Sequence, residues 1–368
     1  MNYNKIYDLV TNKHVSIKSK KGIDILKKYL NYNFTGGGSI QVNVNTEILK
    51  INQDEINGQL EYHIIGDPNA KYKIFIFHEM GAFYTRWKDE VTKLAQNMSD
   101  YVFVIPNRPG YGNSKGFFNR NGKPLTQTNI SKLTDIVSPS LFKMKNELAR
   151  RNNTKKINTN KYVGYSYRNF SQIIKILADD LKWDKFYVTG YSSGGPCALA
   201  CAAHLGKRVL GVSVVSGDTD YRRIKFEENK DVSKLGLWTN SLIMGDLLHG
   251  FHLLSYPDSA DGYNIDFFLE RSGWDFNIED IKVPIIFTHG EKDNPGMIYG
   301  THWAKSKNNY FVMCIVMKGL THITINTPLI TINLCKLLVK LNYDTIQQND
   351  GILVIESIDQ IDLLTLEM

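Results

Sequence analysis

Phe186-Tyr187-Val188-Thr189-Gly190-Tyr191-Ser192-Ser193-Gly194-Gly195-Pro196-Cys197-Ala198-Leu199-Ala200 decides how the chain is read. A β-prone run opens this stretch and a small-residue helical run closes it. Between them Gly190-x-Ser192-x-Gly194 makes a sharp turn with a serine at its apex. Glycines are needed on both sides because the turn leaves no room for Cβ atoms there. The serine hydroxyl then stands above a sheet edge at a helix amino terminus, where backbone N–H groups and the helix dipole favour developing negative charge.

Working outward, short β-rich runs recur at wide spacing: Ile74–Phe77, Tyr101–Ile105, Phe186–Thr189, Val209–Val215, Pro284–Thr288 and Phe311–Met317. Helical patterns at Arg86–Met98, Phe170–Leu181 and Pro196–Leu205 lie between several of them. Such alternation predicts an α/β fold with a doubly wound, mostly parallel sheet. Alternating residues from Ile40 to Ile65 predict further strands with a turn at Asn57-Gly58. Two intervals are too long for simple connections, about 113–165 and about 218–275. The second holds the helix-like run Leu235–Leu254 and stands where a small helical lid would be inserted. The expected organisation is a basic prefix over 1–38, a main domain over 39–340 carrying both insertions, and an acidic tail over 341–368.

The 368 residues are 42% hydrophobic and 22% charged, which is ordinary for a globular protein with a sizeable core. Met1-Asn2-Tyr3-Asn4-Lys5 is polar and no apolar run follows, so no secretory leader is expected. No run is apolar and long enough to span a bilayer. Cys197, Cys201, Cys314 and Cys335 lack metal or disulfide spacing and read as buried thiols in a reducing, intracellular and cytoplasmic setting. The net charge of +7 is uneven. Residues 113–165 hold eleven Lys and Arg against Asp135 and Glu147, a net of +9, whereas 341–368 carry six acids and no base. A solvated loop is the simple reading of the basic insertion, and contact with nucleic acid or an anionic surface is the sharper one.

Five pieces in order make the chain resemble the α/β-hydrolase superfamily, in its serine-nucleophile branch. Phe75-Ile76-Phe77-His78-Glu79-Met80-Gly81 resembles the segment that supplies an oxyanion donor, and Asn107-Arg108-Pro109-Gly110-Tyr111-Gly112-Asn113-Ser114 resembles the D-x-P-G-x-G-x-S turn. The serine turn at 192 follows. Val283 through Asp293 resembles the strand that ends in the acid, and Gly319-Leu320-Thr321-His322 resembles the loop that carries the base. The resemblance implies a catalytic triad: Ser192 as nucleophile, His322 as general base then acid, and Asp293 as its orienter. It also implies an oxyanion hole from the backbone N–H groups of Ser193 and Met80. Two departures stand out. Glu79 replaces a glycine beside the developing oxyanion, and Asn107 replaces the usual Asp.

Competing residues narrow the choice. Gly164-Tyr165-Ser166 copies the start of the serine turn but has Arg168 where glycine is required. Asp218 and Asp220 follow an earlier strand and are rival acids, and Asp261 and Asp266 read as solvated lid residues. His249 and His252 share a helical spacing with few nearby carboxylates, so no metal is expected, and no cofactor is expected either. The implied activity is hydrolysis of a small-molecule carboxylic ester or thioester through an acyl-serine. An apolar acyl group would suit Trp238 and Leu242. The alternatives are a non-catalytic binding protein on the same scaffold, or an aminopeptidase-like or cofactor-free peroxidase-like relative; Ser193 replaces the tryptophan typical of proline iminopeptidases. Tyr7–Val15 with Gly22–Leu30 and Gly36-Gly37-Gly38 resembles a short amino-terminal element of some proteins of large DNA viruses, which implies a viral setting.

Overall fold

The structure, a computed structural model, describes residues 5–8, 13–16, 19, 44–53, 56–80, 84–96, 98–117, 165–220, 223–224, 262, 265–266, 269–270, 273–308, 312–341, 352–355 and 360. Two compact units divide the chain, Met1–Gln41 and Val42–Met368. In the first, β1 (Lys5–Asp8) and β2 (Lys13–Ser16) pair as an antiparallel hairpin.

The second unit is built on a nine-stranded sheet. Its strands are β3 (Val44–Gln53), β4 (Ile56–Ile65), β5 (Tyr72–Phe77), β6 (Tyr101–Pro106), β7 (Phe186–Tyr191), β8 (Val209–Val215), β9 (Ile285–Gly290), β10 (Val312–Met317) and β11 (Ile352–Ile355). They lie in the order β11-β10-β9-β8-β7-β5-β6-β4-β3. From β11 to β6 every pairing is parallel, while β4 and β3 join antiparallel. Among the described residues the complete α-helices are α1 (Tyr84–Ala95), α2 (Tyr167–Asp180), α3 (Gly194–Leu205), α4 (Pro295–Lys307) and α5 (Pro328–Lys340).

Both faces of the central strands are buried, which is why these strands read as continuous apolar runs. Successive residues go to opposite cores. Phe75, Phe77, Val102 and Val104 pack with Phe170, Leu177, Ala198 and Leu199 of α2 and α3. Ile74, Ile76, Phe103 and Ile105 pack with Trp87 and Val91 of α1 and with Ile330, Leu334 and Leu337 of α5. Burying one such side chain stabilises by about 1.5–3 kcal/mol, so a one-residue slip in register would be opposed on both faces.

The chain crosses between β5 and β7. Strands before that point lie on one side of the sheet and later strands on the other. In open α/β sheets such a crossing opens a crevice at the carboxyl ends of the strands, where ligands bind.

The structure corrects one turn. Asn57 and Gly58 do not reverse the chain; they lie inside β4, opposite Asn52 and Ile51, and the reversal falls between Gln53 and Ile56. Gly58 serves a close approach instead. A bridge joins Gln59 to Lys115, and a Cβ on Gly58 would lie 2.7 Å from the Lys115 carbonyl oxygen. Ile352–Ile355, inside the stretch read as an acidic tail, adds β11 beside β10. The segment Gly22–Leu30, most of the basic insertion and the run Leu235–Leu254 lie outside the described residues, as do Trp238 and Leu242.

Candidate active site

Ser192 follows β7 directly, and its φ of +51° is a left-handed conformation that a residue with a side chain rarely adopts. Such a position costs on the order of 1–3 kcal/mol and persists only where surrounding bonds enforce it. Here Ser192 N–H donates to the Val215 carbonyl at 3.0 Å, and the Ser192 carbonyl accepts from Gly195 N–H at 2.8 Å and Asp218 N–H at 3.2 Å. The flanking glycines are required by backbone contact. A Cβ on Gly190 would overlap the Gly194 carbonyl, and one on Gly194 would overlap the Phe77 carbonyl. α3 can therefore start hard against β5, with Ser193 as its amino-terminal cap.

His322 and Asp293 arrive on loops after β10 and β9. His322 Nε2 lies 3.2 Å from Ser192 Oγ, and His322 Nδ1 lies 3.0 Å from Asp293 Oδ1. The two loops are tied together: Lys292 N–H donates to the Leu320 carbonyl at 2.8 Å, and Glu291 N–H donates to the Met317 carbonyl at 2.9 Å. Tyr191, beside the serine, donates its hydroxyl to the His322 carbonyl at 2.6 Å. The Asp293 side chain is fully buried, while the His322 side chain keeps 30% of its surface exposed. Burial alone would raise the Asp293 carboxyl. The His322 hydrogen bond and charge, the Ser216 hydroxyl and the Asn294 N–H outweigh it and hold the group below its ordinary value. It is therefore an anion at neutral pH, and Nδ1–H donation to it leaves Nε2 as the acceptor facing the serine.

The rival residues go elsewhere. Asp218 is buried with Glu270, and burial, then this neighbour, push its carboxyl well above the ordinary range. Asp220 accepts from Arg223 N–H at 3.0 Å. Ser166 caps α2, bonding reciprocally with Asn169 in a capping box. Asp266 was expected to be solvated but is 3% exposed, because Arg108 reaches it with both terminal nitrogens at 2.5 and 2.6 Å. Tyr111 donates to the same carboxylate at 2.5 Å, and Arg108 also donates to Ser193 Oγ at 2.9 Å. Burial opposes the charge on Arg108, and Asp266 more than offsets it. This buried pair sits against Ser193, the residue after Ser192. Neither partner's role could be seen in sequence, since only the fold brings positions 108 and 266 together. Glu61 was also missed. It accepts from Asn107, from Asn113 N–H at 3.1 Å and from the Asn113 amide at 3.0 Å, and so supplies the turn with the carboxylate that Asn107 lacks.

Met80 follows β5 in the His78–Met80 loop. His78 Nδ1 donates to the Glu79 carbonyl at 2.9 Å, and His78 Nε2 accepts from Arg108 N–H at 3.0 Å, which fixes its tautomer. The Glu79 carboxylate is engaged by Trp87 Nε1 at 2.7 Å and Asn326 Nδ2 at 3.0 Å. Among the described residues no group of His, Cys, Asp or Glu could hold a metal ion, and no helix is long and apolar enough to cross a membrane.

No family model and no curated protein sequence matches the chain. Solved structures do. A carboxylesterase of the ammonia-oxidizing thaumarchaeon Nitrososphaera gargenis is 11% identical, with a TM-score of 0.50, over 88% of this chain and 100% of that one. Bromoperoxidase from Bacillus anthracis is 16% identical, also at 0.50, over 77% and 95%. The chain has the α/β-hydrolase fold. At such identities the likeness speaks for the fold alone, and function rests on the site.

Proposed function

We propose that the chain is a serine hydrolase that cleaves a carboxylic ester or thioester through an acyl-serine intermediate. The observation that carries this reading is the continuous chain Ser192 Oγ, His322 Nε2, His322 Nδ1, Asp293 Oδ1, with spacings of 3.2 and 3.0 Å. Ser192 Oγ attacks the acyl carbonyl carbon as its proton passes to His322 Nε2. The imidazolium that forms is stabilised by the Asp293 anion. Collapse of the tetrahedral intermediate breaks the bond to the alcohol or thiol, which leaves with the proton from Nε2. Water then repeats the cycle on the acyl-serine, giving the acid and the free serine. The N–H groups of Ser193 and Met80 are the proposed oxyanion donors, and losing one such donor typically costs about 3–4 kcal/mol in barrier. Trp238 and Leu242 are proposed to meet an apolar acyl group.

A fluorophosphonate probe tests the assignment without knowledge of the substrate. It should label the protein once, at Ser192, and the label should vanish in Ser192→Ala. Labelling that survives this substitution would overturn the proposal.

A further inference from the structure

We propose that Glu79 is a positioning residue: its carboxylate spans the oxyanion loop and the histidine loop and sets the alignment of both. The inference rests on the serine-hydrolase reading and concerns the same site. Glycine is usual at this place in the resemblance, so a carboxylate needs a reason. The Glu79 side chain supplies it by accepting from Trp87 Nε1 at 2.7 Å through one oxygen and from Asn326 Nδ2 at 3.0 Å through the other.

Those partners belong to different parts of the fold. Trp87 is 2% exposed on α1, packed into the core against the sheet. Asn326 closes the tight turn that carries His322: its N–H donates to the Ile323 carbonyl at 3.2 Å, and Ile325 N–H donates to the Thr321 carbonyl at 3.1 Å. The main chain of Glu79 is held as well, through the His78 bond to its carbonyl. One side chain therefore references the histidine turn and the segment leading to Met80 to the same buried helix. Both carboxylate oxygens are thus engaged by donors of the protein itself.

The chemistry calls for a carboxylate here. Two donors converge, an indole N–H and an amide NH₂, and only an acceptor at both ends meets them without rearrangement. A glutamine could keep both bonds if the Asn326 amide turned over to present its oxygen. An alanine keeps neither. Asn326 and Glu79 act through each other, so their effects should not add.

Four variants test this: Glu79→Ala, Glu79→Gln, Asn326→Ala and the double Glu79→Ala/Asn326→Ala. Asn326→Ala alters a half-buried loop residue and keeps the test open if Glu79→Ala fails to fold. Two readouts are needed. The first is kcat and KM on a short p-nitrophenyl ester. Misplacement of a catalytic group by about 1 Å costs up to roughly a hundredfold, so Glu79→Ala and Asn326→Ala should each lower kcat roughly ten- to a hundredfold. KM should stay nearly constant, Glu79→Gln should recover most of the loss, and the double variant should be no worse than the worse single. The second readout is the ¹⁵N and ¹H signature of the His322 ring by NMR, which needs no turnover. Its Nδ1–H resonance should shift or broaden in Glu79→Ala and Asn326→Ala and return in Glu79→Gln.

An active wild type with unchanged kcat and unchanged His322 signals in Glu79→Ala would overturn the positioning role and leave the hydrolase reading intact. Additive losses in the double variant would also overturn it. A wild type that neither turns over esters nor reacts with fluorophosphonate, yet whose His322 signals respond to Glu79→Ala, would sink the hydrolase reading while the positioning role stands.

Discussion

Asp293→Asn separates the two things a carboxylate does for His322, orientation and charge. Asp293 Oδ1 accepts from both His322 Nδ1–H at 3.0 Å and Asn294 N–H at 2.7 Å. An asparagine whose carbonyl oxygen stays there still accepts both donors, and its NH₂ then takes the place of Oδ2. The productive histidine tautomer survives, and what is lost is negative charge. With charge centres about 4 Å apart and an effective dielectric of about 20, that loss is about 4 kcal/mol of imidazolium stabilisation. It corresponds to roughly a thousandfold in kcat. An amide turned the other way would donate to Nδ1, enforce the wrong tautomer and cost about ten-thousandfold. The assay is steady-state hydrolysis of a short p-nitrophenyl ester, with Asp218→Asn as the control. Asp293→Asn should lose roughly a thousandfold in kcat at nearly constant KM, while Asp218→Asn stays within about threefold of wild type. A kcat for Asp293→Asn within tenfold of wild type would refute the charge argument, and an equal loss in Asp218→Asn would refute the choice of acid.

Asp218→Asn should also change stability with pH in a defined direction. Because the folded carboxyl titrates well above its unfolded value, the folded state holds the extra proton in between, and stability falls as pH rises through that window from about 4 upward. The variant removes this loss, so its melting temperature should gain on wild type as pH rises from about 4; a gap independent of pH would contradict the account. Gly194→Ala forces a Cβ into the Phe77 carbonyl and to 2.8 Å from that of His78. Both are fixed backbone atoms, so the protein should lose about 2–3 kcal/mol of stability together with fluorophosphonate labelling. Wild-type melting and labelling in Gly194→Ala would show that α3 can move away from β5.

What was legible in the sequence is what local pattern encodes. The strands through Phe75, Phe103, Val188, Val214, Phe287 and Ile315 are short apolar runs because both their faces are covered, and Gly190-x-Ser192-x-Gly194 is a steric requirement written in residue types. The Asn57-Gly58 turn failed because the glycine answers to Lys115, a neighbour supplied by tertiary contact, and the same residue type serves both needs. Asp266 failed because a carboxylate looks solvated until a guanidinium is placed beside it, and residue 108 is remote in the chain. β11 was masked by the acids around it: Ile352-Leu353-Val354-Ile355 is a strand-like run inside a stretch dominated by its charge. Glu79 looked like a fault in the oxyanion segment, since nothing local names Trp87 and Asn326 as its partners.

The strand order has a consequence for how the molecule comes into being. As a ribosome releases the chain, β3 to β6 are the first strands of the large sheet to emerge and can pair among themselves. The nucleophile strand reaches β5 only after the whole interval 78–185 has been made, as Phe77 comes to lie beside Gly190. Length alone adds little to the cost of that closure, because loop entropy grows only with the logarithm of length. From then on each new strand is laid on the outer edge of the last, β8 on β7, β9 on β8, β10 on β9 and β11 on β10. Ser192, Asp293 and His322 are thus delivered in the order in which their strands are added, and His322 follows a strand whose outer edge stays bare until β11 is made. The proposed site cannot form before residue 322 has been made, and β11 then shields the edge of the strand that precedes the His322 loop.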